Sequence, residues 1–374
     1  MTLRYSILLA LTLSLSHASI EETIDRGCKF LTSTQNTNGS WGGPRRTKGL
    51  ELYAPVPGGH DAFTLATTAI AVSGLIAHEA ENSDITHSID TAEAWIIDHN
   101  VKRPSEEALY NIWAHAYSLK ALTDLSKRSN QTEPYKKVAQ EHYNRLLKYE
   151  FVGDGWGYYN LRDFGGIITQ KPSGSNNSFI TATVLVAIAY TREHLEIEVD
   201  EKRLQAAYNS LTRQRLPDGS YLYGDYLKNY PRAPINRPVG SLARTPAAHC
   251  ALLASDHHTV SQKELIEWSN RFVNREGFLI NAIKRPLPHE APFGISGYFY
   301  YYGHYYLSEA VGAIKDAEIK AKLSNSLIES LIKKQEKDGS WWDYPLFDYH
   351  QAYGTGYVLT SLKRHQKTIK SDSP

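Results

Sequence analysis

Proton-transfer chemistry needs an acid or base that can change state near neutrality and a group that holds the charge as it develops. In this 374-residue chain the side chains suited to it fall in a few short stretches. His60 and Asp61 are adjacent, Arg244 lies just ahead of His249, Tyr298, Tyr302 and His304 share one aromatic run, and Asp348 stands beside His350. A histidine or tyrosine that abstracts a proton next to a carboxylate neutralised by arginine would draw on Tyr302, His304, Arg244 and His350 as its catalytic groups. His60, Asp61, His249, Tyr298 and Asp348 would then bind the ligand around them. Each also has an ordinary structural role. Asp61 and Asp348 read as helix caps, His249 as a core histidine, and no local motif links the set. Asp348 and His350 are metal-ligating types as well. The preceding apolar stretch, however, offers only Ser296 and tyrosines at the matching level, and His249 and Cys250 diverge by about 100° around a helix. Three or four converging donors are not assembled, so neither a metal nor a cofactor is expected.

These residues can meet only if the elements that carry them converge, and a repeated turn shows how they would. Gln35-Asn36-Thr37-Asn38-Gly39-Ser40-Trp41 and Gln335-Glu336-Lys337-Asp338-Gly339-Ser340-Trp341 match at Gln, Gly, Ser and Trp. Gln214 to Tyr221 is the same turn with one residue inserted, and Asp154-Gly155-Trp156 and Glu276-Gly277-Phe278 are weaker copies. The copies recur at about sixty residues, with one decayed copy expected between His99 and Ser105. An amphipathic pattern precedes each turn, as in Ile24-Cys28-Leu31 and Leu204-Tyr208-Leu211, and a more uniformly apolar one follows. The second helices should run from Ala62 to Ala80, Glu106 to Lys127, Phe179 to His194, Pro246 to Asp256, Gly297 to Lys315 and Tyr349 to His365. Asp61, Ser105, Ser178, Thr245 with Pro246, Ser296, and Asp348 with Gln351 read as their start signals.

A helix apolar on all sides must be covered on all sides. The second helices therefore form an inner ring inside the amphipathic ones: an all-α (α/α)6 toroid of six hairpins, for which an open superhelix is the alternative. Its inner helix N-termini would surround one mouth of a central cavity, where His60, Asp61, Arg244, His249, Tyr302, His304, Asp348 and His350 would gather.

Composition narrows the partners. Lys and Arg number 41 against 40 Asp and Glu with no basic stripe, which speaks against nucleic acid and anionic membrane surfaces. The 25 tyrosines and 7 tryptophans suit walls that are apolar in body and polar at the tip. At the N-terminus, Arg4 precedes an apolar run from Ile7 to Leu15 that ends in Ser16-His17-Ala18, the layout of a secretory signal peptide. Residues 1–18 are thus expected to be removed on export to a secreted or periplasmic location, leaving one toroid domain over 19–374. No other stretch could cross a membrane. Cys28 and Cys250 fall in nearly opposite hairpins and should be free, buried thiols.

The Gln-x-x-x-Gly-Ser-Trp turn resembles the QW repeat of squalene and terpene cyclases and the related repeat of protein prenyltransferases, over essentially all of the mature chain. The resemblance implies a toroid in which Gln35, Trp41, Trp156, Gln214, Gln335 and Trp341 brace neighbouring hairpins. It also implies an apolar, isoprenoid-like ligand. The catalytic motifs differ. Asp84 with Asp90, and the run Glu196 to Glu201, are solvated acids rather than the Asp-x-Asp-Asp of class II cyclases. Phe347-Asp348-Tyr349-His350-Gln351-Ala352-Tyr353 is similar to the histidine-bearing segment of prenyltransferases, yet Ile295-Ser296-Gly297 stands where an Asp-x-Cys is required.

The expected function is therefore an exported protein whose central cavity binds or transforms an isoprenoid-like ligand without those motifs. The alternatives are a non-catalytic scaffold and a carbohydrate-active lyase or hydrolase. Whether it is an enzyme is left open, and the partner is a small molecule or glycan in the cavity.

Overall fold

The computed structural model describes residues 20–49, 59–79, 82–99, 111–151, 154–157, 176–255 and 260–371. The expected signal peptide, Ser105 and most of the decayed repeat copy lie outside the described residues. Helices alternate along the chain. The outer set is α1 (20–34), α3 (Ser83–Asp98), α5 (Glu133–Tyr149), α7 (Glu201–Arg213), α9 (Gln262–Ile280) and α11 (Ala317–Ile332). The inner set is α2 (Gly59–Ile76), α4 (Asn111–Ser129), α6 (Ser178–Leu195), α8 (Thr245–Leu253), α10 (Phe299–Gly312) and α12 (His350–Ser371).

Each inner helix packs on the next, α2 on α4, α4 on α6, α6 on α8, α8 on α10 and α10 on α12, and α12 packs back on α2. The ring is closed. Its last seam is tight, because a Cβ on Gly356 of α12 would lie 2.5 Å from the Ile70 carbonyl oxygen of α2. Burial divides the two rings as their sequences require. Outer α7 buries one stripe, Leu204, Ala207, Tyr208, Ser210 and Leu211, whereas inner α2 buries residues around its whole circumference from Ala62 to Leu75. Among the described residues no helix is long and apolar enough to cross a membrane. Cys28 and Cys250 are free and buried, and burial pushes the Cys28 thiol up to about 12.

The repeated turn is one device built several times. Asn38, Asp218 and Asp338 each accept hydrogen bonds from the backbone N–H and hydroxyl of the serine two residues on. The glycine between them takes positive φ, +91° at Gly39 and Gly339 and +81° at Gly219, a region open to glycine. Trp41, Trp156 and Trp341 are fully buried. Each indole N–H reaches back to a leucine carbonyl of the preceding outer helix, Leu31, Leu146 or Leu331, at 2.8 to 2.9 Å. Each tryptophan backbone N–H goes to a threonine of the following inner helix, Thr68, Thr181 or Thr355. The glutamines brace across hairpins. Gln35 Nε2 donates to the Ser88 carbonyl in α3 and Gln335 Nε2 to the Thr23 carbonyl in α1, so the last turn ties to the first helix. Glu276-Gly277-Phe278 is not a turn, because all three residues lie inside α9, where the glycine is simply tolerated.

The inner helices α2, α6, α8, α10 and α12 begin within three residues of the expected starts, with Pro246 in the first turn of α8, but the residues that read as caps do not cap them. Asp61 lies inside α2 and pairs with His99, Ser178 donates to the Leu222 carbonyl, and Thr245 donates back to Ser241. Ser296 accepts from the His289 N–H, Asp348 pairs with Arg45, and Gln351 donates to Asp338 and Ser340 of the turn. Side-chain caps sit on outer helices instead, from Asn82, Asp200, Ser261 and Asp316. The cause is burial. An outer helix begins in water and must satisfy its first N–H groups from its own side chains, whereas an inner one begins among neighbouring elements that can do so. Asp343 of the sixth hairpin, for example, accepts the Tyr301 N–H in the first turn of α10.

Candidate functional site

The N-terminal parts of α2, α4, α6, α10 and α12 border an open cavity of about 260 Å³. Phe63, Ala66, Thr67 and Ile70 of α2, Trp113 of α4 and Phe179 of α6 form one side. Tyr298, Phe299 and Tyr302 at α10 and Tyr353 and Tyr357 of α12 form the other, with Tyr223, His289, Tyr344 and Leu346 supplied by loops. The rings interlock edge to face. Phe179 meets Phe299 at 5.1 Å and 73° and Tyr302 at 6.0 Å and 83°, while Trp113 meets Tyr302 at 6.4 Å and 72°.

Hydroxyls at the inner end of this cup are used up among themselves. Tyr302 donates to the Phe179 carbonyl at 3.0 Å and lies 3.1 Å from Thr183 Oγ1, which also receives the Tyr306 hydroxyl. Tyr357 bonds to Tyr117. With these tips occupied, the wall turned to the cavity is largely carbon. Burial pushes the tyrosine hydroxyls of this floor well above their ordinary range, so they stay neutral.

Two titratable groups stand close to the wall, and neither was singled out from the sequence. His289, held at φ +61° between α9 and α10, has Nδ1 2.7 Å from the Gly294 carbonyl, which can only accept. Nδ1 therefore carries the proton, which leaves the single lone pair of Nε2 as an acceptor between the hydroxyls of Tyr298 at 3.2 Å and Tyr223 at 3.3 Å. Burial lowers its pKa and keeps the ring neutral. Asp343 is fully buried behind the wall, where Oδ1 accepts from the Tyr353 hydroxyl at 2.7 Å and Oδ2 from the Tyr301 N–H at 2.9 Å. Burial pushes this carboxyl up to about 7 against the pull of those bonds.

Of the nine candidate residues, Tyr298 and Tyr302 are on the cup wall. His60 is just outside it, with Nδ1 3.0 Å from the Tyr349 hydroxyl and its ring edge-on to Phe347. Arg244 lies behind the wall, donating to the carbonyls of Gly240, Tyr221 and Ile235 while its guanidinium rests 5.3 Å from the Tyr223 ring. The remaining five lie in the interfaces around it. Asp61 bonds His99 at 2.9 Å, and Asp348 bonds Arg45 at 3.0 Å. His249 faces Glu264 at 3.6 Å, and His304 joins Glu276 at 3.2 Å while contacting the Tyr300 carbonyl. His350 contacts the Phe347 carbonyl and lies against Trp342, with burial bringing its pKa down to about 4. Tyr302, His304, Arg244 and His350 do not converge on one point. Among the described residues no three of His, Cys, Asp and Glu come together as a metal site would require.

No family model matches the chain, and no curated protein matches its sequence. Its fold recurs among solved structures. The type II terpene cyclase MstE from Scytonema aligns with a TM-score of 0.53 at 16% identity, over 94% of this chain and 99% of that one. A variant of that cyclase in complex with its substrate, geranylgeranyl dihydroxybenzoate, gives 0.54 at 15% identity over 94% and 99%. Cellobiose 2-epimerase from Spirochaeta thermophila gives 0.60 at 10% identity, over 96% and 98%. At such identities the likeness establishes the fold: a terpene-cyclase-like (α/α)6 toroid.

Proposed function

We propose that the chain is an exported protein whose aromatic cup binds an apolar, isoprenoid-like ligand. The observation that carries this reading is the wall itself: a cavity of about 260 Å³ lined by aromatic and aliphatic carbon, its deep hydroxyls already bonded to one another. Burying an apolar ligand there costs no desolvated polar group and gains about 25 cal/mol per Å² of carbon surface covered. A toroid of the same fold binds geranylgeranyl dihydroxybenzoate, which adds support. Protonating an alkene is a different matter. The buried carboxyl of Asp343 stands behind Tyr353, which separates it from the cup, and a pKa of about 7 makes it a weaker acid than an ordinary aspartic acid. The cup is therefore suited to holding such a ligand more than to opening it with acid. A lyase would need Arg244, His304 and His350 turned towards one substrate, and they serve other contacts.

Titration with farnesol and geranylgeraniol, followed by tryptophan fluorescence, is expected to give saturable binding. Ala66→Phe, which puts a ring into the cup, should weaken it by tenfold or more with little change in melting temperature. Unsaturable binding, or equal affinity in that variant, sinks the reading. Export has its own check: the chain isolated from its native source should begin near Ser19, and recovery of Met1 would count against it.

A further inference from the structure

On the far side of the tyrosine floor lies a larger cavity of about 750 Å³, bounded by the C-terminal halves of α2, α4, α6, α10 and α12. Tyr117 touches both cavities, so the floor is a partition between them. The two chambers differ in chemistry. Where the cup is carbon, this chamber carries an ion pair within α4, Lys120 to Asp124 at 2.8 Å, and another across α12 and α10, Arg364 to Glu309 at 2.9 Å. Their side chains are only 18%, 12%, 25% and 32% exposed.

Ion pairs in such a setting are an expensive way to build a core, since apolar residues of similar volume hold as well or better. Here they do not fill the space either: Ser73, Ala116, Ala187 and Thr360 are small and leave the chamber open. Both pairs are mounted on tyrosines. The Tyr190 hydroxyl donates to Asp124 at 2.8 Å with Lys120 4.9 Å from its ring, and Arg364 lies 4.6 Å from the Tyr305 ring. Burial works to neutralise Lys120 and Asp124, but each holds the other in its charged form.

We propose that this chamber is a second binding site, for a neutral, hydroxyl-rich ligand of the sugar class. A free anion would find Lys120 and Arg364 already balanced by Asp124 and Glu309, Arg192 paired with Glu201, and Lys363 offset in charge by Glu193 on the same lining, and the chamber sits at helix C-termini, the negative ends. A free cation would face Lys120 and Arg364. A hydroxyl suits both signs at once, because it donates to Asp124 or Glu309 while accepting from the ammonium or guanidinium beside it. Several hydroxyls on a compact ring, with C–H faces for Tyr190, Tyr305 and Tyr306 to cover, describe a short glycan. The volume lies within the roughly 300 to 1,000 Å³ of small-molecule sites.

The test uses the full chain with cellobiose, maltotriose and diacetylchitobiose as probes, inorganic phosphate as the anionic control, and farnesol as the probe of the cup. Saturation-transfer NMR and calorimetry should show at least one glycan binding saturably and phosphate not competing. Asp124→Asn, which removes a carboxylate, and Ala187→Trp, which fills the chamber while leaving all four residues of the ion pairs in place, should each weaken glycan binding more than tenfold. Farnesol affinity should stay within twofold in both, so that failure at one chamber is not mistaken for failure at the other. The proposal is overturned if no glycan binds, if phosphate displaces the glycan, or if Ala187→Trp binds it as wild type does.

Discussion

Trp341→Ala is expected to destabilise the fold by about 3 to 5 kcal/mol, the cost of emptying a fully buried tryptophan site. Two losses combine. The ring packs against Gly27 of α1, which Leu359 of α12 also approaches, so its removal opens a cavity at the seam where the sixth hairpin meets the first. The Leu331 carbonyl also loses the indole N–H bonded to it at 2.8 Å. Trp341→Phe separates the two, since it keeps most of the packing and should cost less. For a domain held by about 5 to 15 kcal/mol the alanine variant surrenders a large share, and urea denaturation should show it as a lower midpoint at unchanged slope. A loss under about 1 kcal/mol would mean that the brace is not structural.

That brace was readable because the turn is specified by local chemistry. An Asn or Asp, a glycine at positive φ, a serine that caps back on the acid or amide and a large aromatic ring are all adjacent in sequence, so repetition exposed them. The threonines that receive the tryptophan N–H groups were not found. Thr68, Thr181 and Thr355 stand 27, 25 and 14 residues after their tryptophans, and only the packed hairpin brings them together. Ring closure was legible for a similar reason: helices apolar on every side have nowhere to go but inside.

The same property hid the site. Hydrophobic periodicity tells which face of a helix is buried, but a helix buried on all faces carries no such mark, so Tyr302 on the cup and Tyr300 against Glu276 look alike in sequence. Histidines expected at the mouth turned out to serve hairpin interfaces, His249 facing Glu264 and His304 joining Glu276. His289 reaches the wall from a loop between Pro288 and Pro292, a placement set by tertiary packing. The start signals marked where the inner helices begin, but the capping role read into Asp61, Ser178, Thr245, Ser296 and Asp348 failed because it assumed solvent at helix ends that are buried.

Asp343 supplies the second large effect, and its sign is fixed by the direction of the shift. Burial raises the folded carboxyl from its ordinary 3.8 to about 7, so the folded state holds the proton more tightly than the unfolded chain does. Below pH 4 both states are protonated and the group contributes nothing to the difference. As pH rises from about 4 to 7 the unfolded chain ionises first, and stability falls by about 1.4 kcal/mol per unit, approaching about 4 kcal/mol in all. Three buried histidines act in the opposite sense. Burial lowers His142 to about 3 and His350 and His365 to about 4, so their contribution is present above pH 6.5 and is lost as pH falls through the folded values. A single stability curve therefore mixes the two. The difference between wild type and Asp343→Asn isolates the carboxyl: an amide can accept the Tyr301 N–H with its oxygen and donate its own N–H to the Tyr353 oxygen, but it cannot ionise. Relative to wild type, the variant should gain stability steadily from pH 4 to pH 7 and level off above it, as read from urea midpoints at each pH. A difference that stays flat across that range would show that the carboxyl is ionised in the fold at pH 5. The wall behind Tyr353 would then hold a buried charge, and a cup backed by a fixed negative charge would favour cationic ligands over the neutral, apolar one proposed here.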